Sequence, residues 1–328
     1  MKLRTLCASL AILASCSSGT SSPSPDAASV DAPAVTDAAA DTSSPEASTP
    51  DVSAPDVPAA VAMMVAARPY QTHIPSTYDG ARALPLVVLL HGYGASGAVQ
   101  AAYLGFTGLS ESRNFLLAYP DGTLNSQSQR FWNATNACCD FARQGIDDVA
   151  YVTAIIDDMS ARYRVDARRI FIVGHSNGGF MAHRMACDRS DRVAAIVSLA
   201  GAQWADTARC VPTEPVSVLQ VHGVADDTIR YAGGSTVGTG TTMYPSARDT
   251  VAAWGRLNRC GDFADTGMTF DYVTTAPGNE TRVGRHGACM GGAAELWSMD
   301  ATGHIPAFAP AWGEAVIDWL EAHPKPAR

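Results

Sequence analysis

The sequence predicts an α/β fold, a mostly parallel sheet with helices on both faces, and three observations carry that reading. From about residue 61 onward, apolar runs of four to seven residues alternate with segments of helical periodicity. The runs are apolar throughout rather than alternating, as strands buried on both faces require. One of them, Ile170 to Val173, passes through Gly174-His175-Ser176-Asn177-Gly178-Gly179 straight into a helical stretch from Phe180. The 328 residues are 47% hydrophobic and 17% charged, enough for one sizeable core, and no internal repeat or second folded domain is visible.

The elements follow in order. Leu84 to Leu90 reads as a strand ending at His91-Gly92-Tyr93-Gly94, with a helix near 97–110. Phe115 to Tyr119 is a second strand, closed by the turn residues Pro120-Asp121-Gly122. Asp147 is a natural N-cap for a helix whose apolar residues Val149, Val152, Ile155, Ile156 and Met159 recur at helical spacing. After the strand and helix around Ser176 come strands at Val193–Leu199 and Val216–Val221. Ser246 caps a helix to Leu257, Thr269–Thr274 and Ala293–Met299 read as strands, and Trp312–Ala322 as the last helix.

The amino-terminal 60 residues are a different material. Met1-Lys2-Leu3-Arg4 is a positive n-region and Leu6 to Ala14 a short apolar h-region, so residues 1–15 read as a signal peptide rather than a membrane span. Leu13-Ala14-Ser15-Cys16 resembles a bacterial lipobox, which makes Cys16 the expected site of lipidation and a membrane anchor. The chain is then expected to be exported, to the cell envelope or beyond. Residues 16–60 are rich in Ser, Ala, Pro, Thr and Asp and, past Cys16, have no aromatic residue and no Lys or Arg. Such a segment reads as a tether with a reach of ~35–40 Å as a flexible coil. It holds seven acids, so most of the net charge of −9 belongs to it. What remains, residues 61–328, is mildly acidic with no basic stretch, which argues against nucleic acid as a partner. The folded part is expected to be a monomer.

Beyond Cys7 and Cys16 there are six cysteines, an even number that suits disulfides in an exported chain. None has C-x-x-C spacing, so a zinc site is disfavoured. Cys260 and Cys289 flank the strand region near 268–274 and are expected to pair. Cys138, Cys139, Cys187 and Cys210 can pair in three ways.

The G-x-S-x-G turn between strand and helix is where a serine hydroxyl is held out for attack, and Gly174 and Gly178 leave room for strand and helix to fold back past each other. Such a serine needs a base, and the base needs an orienting carboxylate. In the α/β-hydrolase fold these follow in the order Ser, acid, His, each on a loop after a strand. The first acid-bearing loop after Ser176 is His222-Gly223-Val224-Ala225-Asp226-Asp227, in which Asp226 is preferred to Asp227. Of His286, His304 and His323, His304 lies between the last strand and the last helix, where this fold places its base. The oxyanion donors are expected to be the backbone N–H groups of Asn177 and Tyr93. No metal or cofactor is called for. His91, His175, His183 and His222 read as structural.

These residues together resemble a family. Leu90-His91-Gly92, Trp132-Asn133 with Cys138-Cys139, Asp147-Asp148-Val149, the Gly174–Gly179 turn, His222 to Asp226 with Tyr231, and Gly303-His304 are similar to the poly(3-hydroxybutyrate) depolymerase and feruloyl/acetylxylan esterase group of carbohydrate esterase family 1. The likeness spans roughly residues 68–322. It implies an ester hydrolase with Ser176, Asp226 and His304 as its triad and a plant cell-wall or polyester fragment as substrate. Many members follow the histidine with Thr-Trp-Pro-Gly, where this chain has Ile305-Pro306-Ala307-Phe308. Trp132 and Tyr231 are candidates for the substrate pocket, Trp132 equally for the core. A surface lipoprotein that uses the fold for binding, and a serine peptidase, are the competing readings.

Overall fold

The computed structural model describes residues 57–236 and 242–327. The expected signal peptide, Cys16 and nearly all of the tether lie outside them. In chain order the helices are α1 (Ala59–Ala67), α2 (Gly97–Leu104), α3 (Phe106–Arg113), α4 (Asp148–Arg162), α5 (Asn177–Asp188), α6 (Ala247–Leu257) and α7 (Pro310–Glu321). The strands are β1 (Tyr70–His73), β2 (Leu84–Leu90), β3 (Leu116–Pro120), β4 (Thr123–Leu124), β5 (Arg130–Phe131), β6 (Val165–His175) and β7 (Ala195–Leu199). They continue with β8 (Ser217–Gly223), β9 (Gly234–Ser235), β10 (Met243–Tyr244), β11 (Phe263–Phe270), β12 (Thr281–His286) and β13 (Ala294–Met299).

Nine strands form one sheet in the order β1-β3-β2-β6-β7-β8-β13-β12-β11. From β3 to β13 the neighbours pair in parallel, and β1, β12 and β11 are antiparallel. Side chains alternate along each strand, so the sheet feeds two cores. Leu86, Val88 and Leu90 of β2 face α4, α5 and α6, where Ile155, Phe180 and Trp254 are buried. Val87 and Leu89 face the opposite layer, with Phe106 of α3 and Trp312, Ile317 and Leu320 of α7. Parallel strands hydrophobic on both faces thus account for the unbroken apolar runs in the sequence.

The structure departs from the sequence reading at several places, the edge strand β1 ahead of Leu84 among them. The helix expected near 97–110 is two helices, because Gly105 at φ 68° ends α2 in the left-handed region before α3 starts. The strand expected at Thr269–Thr274 is β11, ending at Phe270; it is an edge strand with mixed burial, which leaves little apolar pattern to fix its limits. Polar β12 carries no apolar run and was not anticipated. Helix α1 starts at Ala59, ahead of the expected boundary at 61, in an Ala-rich segment of high helix propensity that lies along α4. Among the described residues no helix is long and apolar enough to cross a membrane.

Disulfides join Cys138 to Cys139, Cys187 to Cys210, and Cys260 to Cys289.

Candidate active site

Four of the neighbouring parallel strands, β2, β6, β8 and β13, end on the same edge of the sheet, and each carboxyl end leads into a loop with one part of the site. This is where open α/β sheets bind ligands. After β6 the chain turns at Ser176 with φ 56° and ψ −119°, a strained conformation for a side-chain-bearing residue, and enters α5 at once. A Cβ on Gly174 would stand 2.1 Å from the Gly178 carbonyl oxygen, and one on Gly178 2.2 Å from that of Leu90. Only glycine permits so close a return of the helix over two strands.

The loop after β8 brings Asp226 in and turns Asp227 out: Asp226 is buried and Asp227 exposed. Oδ1 of Asp226 accepts from the Thr228 and Ile229 N–H groups, each at 2.9 Å. Oδ2 lies 2.8 Å from Nδ1 of His304, on the loop after β13. Burial works against the Asp226 charge, but contacts with His222 and His304 and the backbone N–H of Ile229 outweigh it and hold the carboxyl well below the usual carboxylate range. An ionised Asp226 fixes the His304 proton on Nδ1 and leaves Nε2 free to accept one. His286 and His323 lie elsewhere, bonded to the backbone oxygens of Gly261 and Trp319.

The expected oxyanion donors stand at two ends of this arrangement. Asn177 is the first residue of α5, whose leading N–H groups have no intrahelical acceptor. Neither its N–H nor that of Tyr93 is bonded to another described residue. His91 braces the Tyr93 loop. Its Nε2 accepts from the Gly122 N–H at 2.8 Å, so Nδ1 carries the proton and donates to the Gly92 oxygen at 2.7 Å. Burial pushes its imidazole down to about 4, so it remains neutral.

Several supporting groups carry no clear sequence signal. The Asn177 side chain clamps the backbone of Trp132, its Oδ1 accepting from the N–H at 2.7 Å and its Nδ2 donating to the carbonyl at 2.9 Å. His175 reaches across to His304: its Nε2 donates to the His304 carbonyl oxygen at 2.9 Å, and the two rings lie 5.0 Å apart. Tyr103 of α2 donates to the Pro306 carbonyl at 2.8 Å, so two side chains grip the His304 loop. Below Asp226 runs a buried chain of donors: Trp254 to His183, His183 to Gln220, Gln220 to His222, and His222 to the Ile229 oxygen. The last step sets the loop from which Ile229 holds Asp226.

The two pocket candidates are placed differently from expectation. Trp132 is 0% exposed; its indole donates to the His91 oxygen and lies in the core, so it does not line a pocket. Tyr231 is half-buried, with its hydroxyl on Ser298 and its ring against His222, as a support of the Asp226 loop.

Comparison with known proteins agrees with this architecture. Residues 85–270, more than half of the chain, match the family model described as alpha/beta hydrolase fold. Feruloyl esterase B of Piromyces equi is 26% identical over 251 residues, 75% of this chain and 43% of that protein. Poly(3-hydroxyalkanoate) depolymerase C of Paucimonas lemoignei is 27% identical over 194 residues, 58% of this chain and 38% of that protein. The chain thus spans less than half the length of these two relatives. Among solved structures, an acetyl xylan esterase from Aspergillus awamori superposes with a TM-score of 0.53 at 16% identity, over 76% of this chain and 92% of that one, a likeness of fold. By sequence match and by architecture, the chain belongs to the alpha/beta hydrolase fold family.

Proposed function

We propose that the protein is an exported serine esterase that hydrolyses carboxylic esters through an acyl-enzyme. The observation that carries this is the pairing of His304 Nδ1 with a buried, ionised Asp226 on the same sheet edge as the strained Ser176 turn. Ser176 attacks the ester carbonyl while His304 Nε2 takes the hydroxyl proton. The Asn177 and Tyr93 N–H groups receive the charge that develops on the carbonyl oxygen, and each such donor is worth about 3–4 kcal/mol of the barrier. His304 returns the proton to the leaving alcohol. Water then attacks the acyl-enzyme with His304 again as base, which regenerates Ser176.

The names of the relatives point to feruloyl and acetyl-xylan esters or hydroxyalkanoate esters as substrates. The lipobox-like segment supports attachment through acylated Cys16, with residues 17–60 as a tether to the envelope. The test is hydrolysis of p-nitrophenyl acetate by the full chain and by Ser176→Ala. The variant should lose at least about 10³-fold in kcat and all labelling by a fluorophosphonate. Retained turnover or labelling would overturn the assignment.

A further inference from the structure

Beside the proposed site lies a cavity of about 820 Å³ that the ester chemistry does not use. Its wall touches both proposed oxyanion residues. Cys138, on the wall, accepts from Asn177 Nδ2 at 3.5 Å, and Phe141, also on the wall and 42% exposed, packs its ring 5.5 Å from that of Tyr93. A substrate whose carbonyl is held by the Tyr93 and Asn177 N–H groups therefore has this cavity one side chain away.

The charges lining it do not cancel. Arg184 is committed: its Nε pairs with Asp188 at 2.6 Å and an Nη donates to the Ala134 oxygen at 3.0 Å. Asp140 is committed within its own turn, with its two oxygens accepting from the Gln144 and Gly145 N–H groups at 2.8 and 2.7 Å. Arg143 and Arg209 also line the cavity, and neither has a carboxylate partner among the described residues. Arg209 lies over the Trp204 ring with its guanidinium carbon 4.4 Å from the centroid. A guanidinium resting on an aromatic face can still present N–H groups to a carboxylate, which it binds in bidentate fashion. With Arg184 paired to Asp188, the lining keeps a net positive charge on a folded part that is itself acidic.

We infer that this cavity is a subsite for a carboxylate carried by the ester substrate, with Arg209 and Arg143 as its ligands. The inference rests on the esterase reading for the direction in which the substrate runs, and it goes beyond it in naming acidic esters as the preferred class. The carboxylate can belong to a uronate substituent of a polysaccharide or to the free end of a hydroxy-acid oligomer, and these are separated experimentally.

The experiment uses the full chain carrying Ser176→Ala, so that bound ester is not turned over. Occupancy of the cavity is read from the change in tryptophan fluorescence that a Trp204→Phe control lacks, since the chain has six tryptophans. The first pair of probes is a 3-hydroxybutyrate trimer and its methyl ester; the second is an acetylated xylo-oligosaccharide with and without a glucuronate branch. The acidic member of one pair should bind about tenfold more tightly at low salt, as loss of a charge-assisted hydrogen bond implies. The pair that shows the preference identifies the source of the carboxylate. Added salt should shrink it, and Arg209→Gln or Arg143→Gln should abolish it while leaving p-nitrophenyl acetate hydrolysis unchanged in the Ser176 background. Equal affinity within both pairs, or equal weakening of acidic and neutral probes by the arginine variants, overturns the subsite. If the acidic preference holds but the Ser176 protein leaves p-nitrophenyl acetate intact, the anion site stands and the esterase reading falls.

Discussion

The grip of His175 on the His304 carbonyl makes the variable residue of the G-x-S-x-G turn a positioning residue for the proposed base. His175→Leu should lower kcat for p-nitrophenyl acetate about 10–100-fold with little change in KM, since one hydrogen bond that aligns the imidazole is lost. His175→Gln keeps a donor at similar reach and should recover part of the rate. Wild-type kcat in the leucine variant would remove His175 from the mechanism. Asp226→Asn tests the neighbouring contact: it preserves shape but no longer enforces the Nδ1 proton of His304, and kcat should fall about 10³–10⁴-fold. The proposed roles of Ser176, Asp226 and His304 can be argued from sequence because chain order and strand ends restrict the candidates. His175 is not, because its partner is 129 residues away and any residue fits the motif there. Gln220 did leave a trace: a polar residue that interrupts the apolar run Val216–Val221 in a buried strand needs partners, and its partners His183 and His222 belong to the chain below Asp226.

At the scale of elements, the β6–α5 turn is the part of the fold least able to change. A methyl group at Gly178 would meet the Leu90 and His91 carbonyl oxygens, which belong to the strand end and loop that carry Tyr93. Gly178→Ala should therefore cost about 1–3 kcal/mol by overpacking and, by pushing that loop away, lower activity further than stability. Urea unfolding compared with ester hydrolysis checks this; full activity in the variant would show that helix and strand can part without consequence. Helix ends were equally readable, since Asp147 and Ser246 accept from the N–H groups three residues on. The limits of β11 and the existence of β12 were not, because an antiparallel extension at the edge of a sheet is half exposed and carries polar residues on its free face. The break at Gly105 was missed for another reason. A single glycine is tolerated inside a helix, and only packing decides whether it continues or turns.

For the molecule as a whole, the same neutral histidines that shape the site set its response to acid. His91, His175 and His183 are each pushed down to about 4, in all three chiefly by burial. In the unfolded chain each returns to about 6.5, so between these values the unfolded state binds more protons and stability falls as the pH falls. Each histidine contributes a slope of about 1.4 kcal/mol per pH unit over that window, and unfolding near pH 5 should take up about two to three protons. Asp226 acts in the same direction at lower pH: its depressed value adds stability above the usual carboxylate range, which is lost as the pH drops further towards its folded value. The thermal midpoint should thus decline steadily from pH 7 to pH 4.5, with no compensating rise. His183→Gln tests the histidine contribution away from the proposed site, because His183 lies in the core and among the described residues bonds to Trp254 and Gln220 alone. The variant should start less stable at pH 7 yet show a slope shallower by about a third, one of three equal contributions. A thermal midpoint flat between pH 6.5 and 4.5 in the parent protein would mean that the buried imidazoles protonate without unfolding. The Gly122 N–H would then have lost its acceptor at His91 Nε2 inside the folded protein, against the desolvation that keeps this ring neutral.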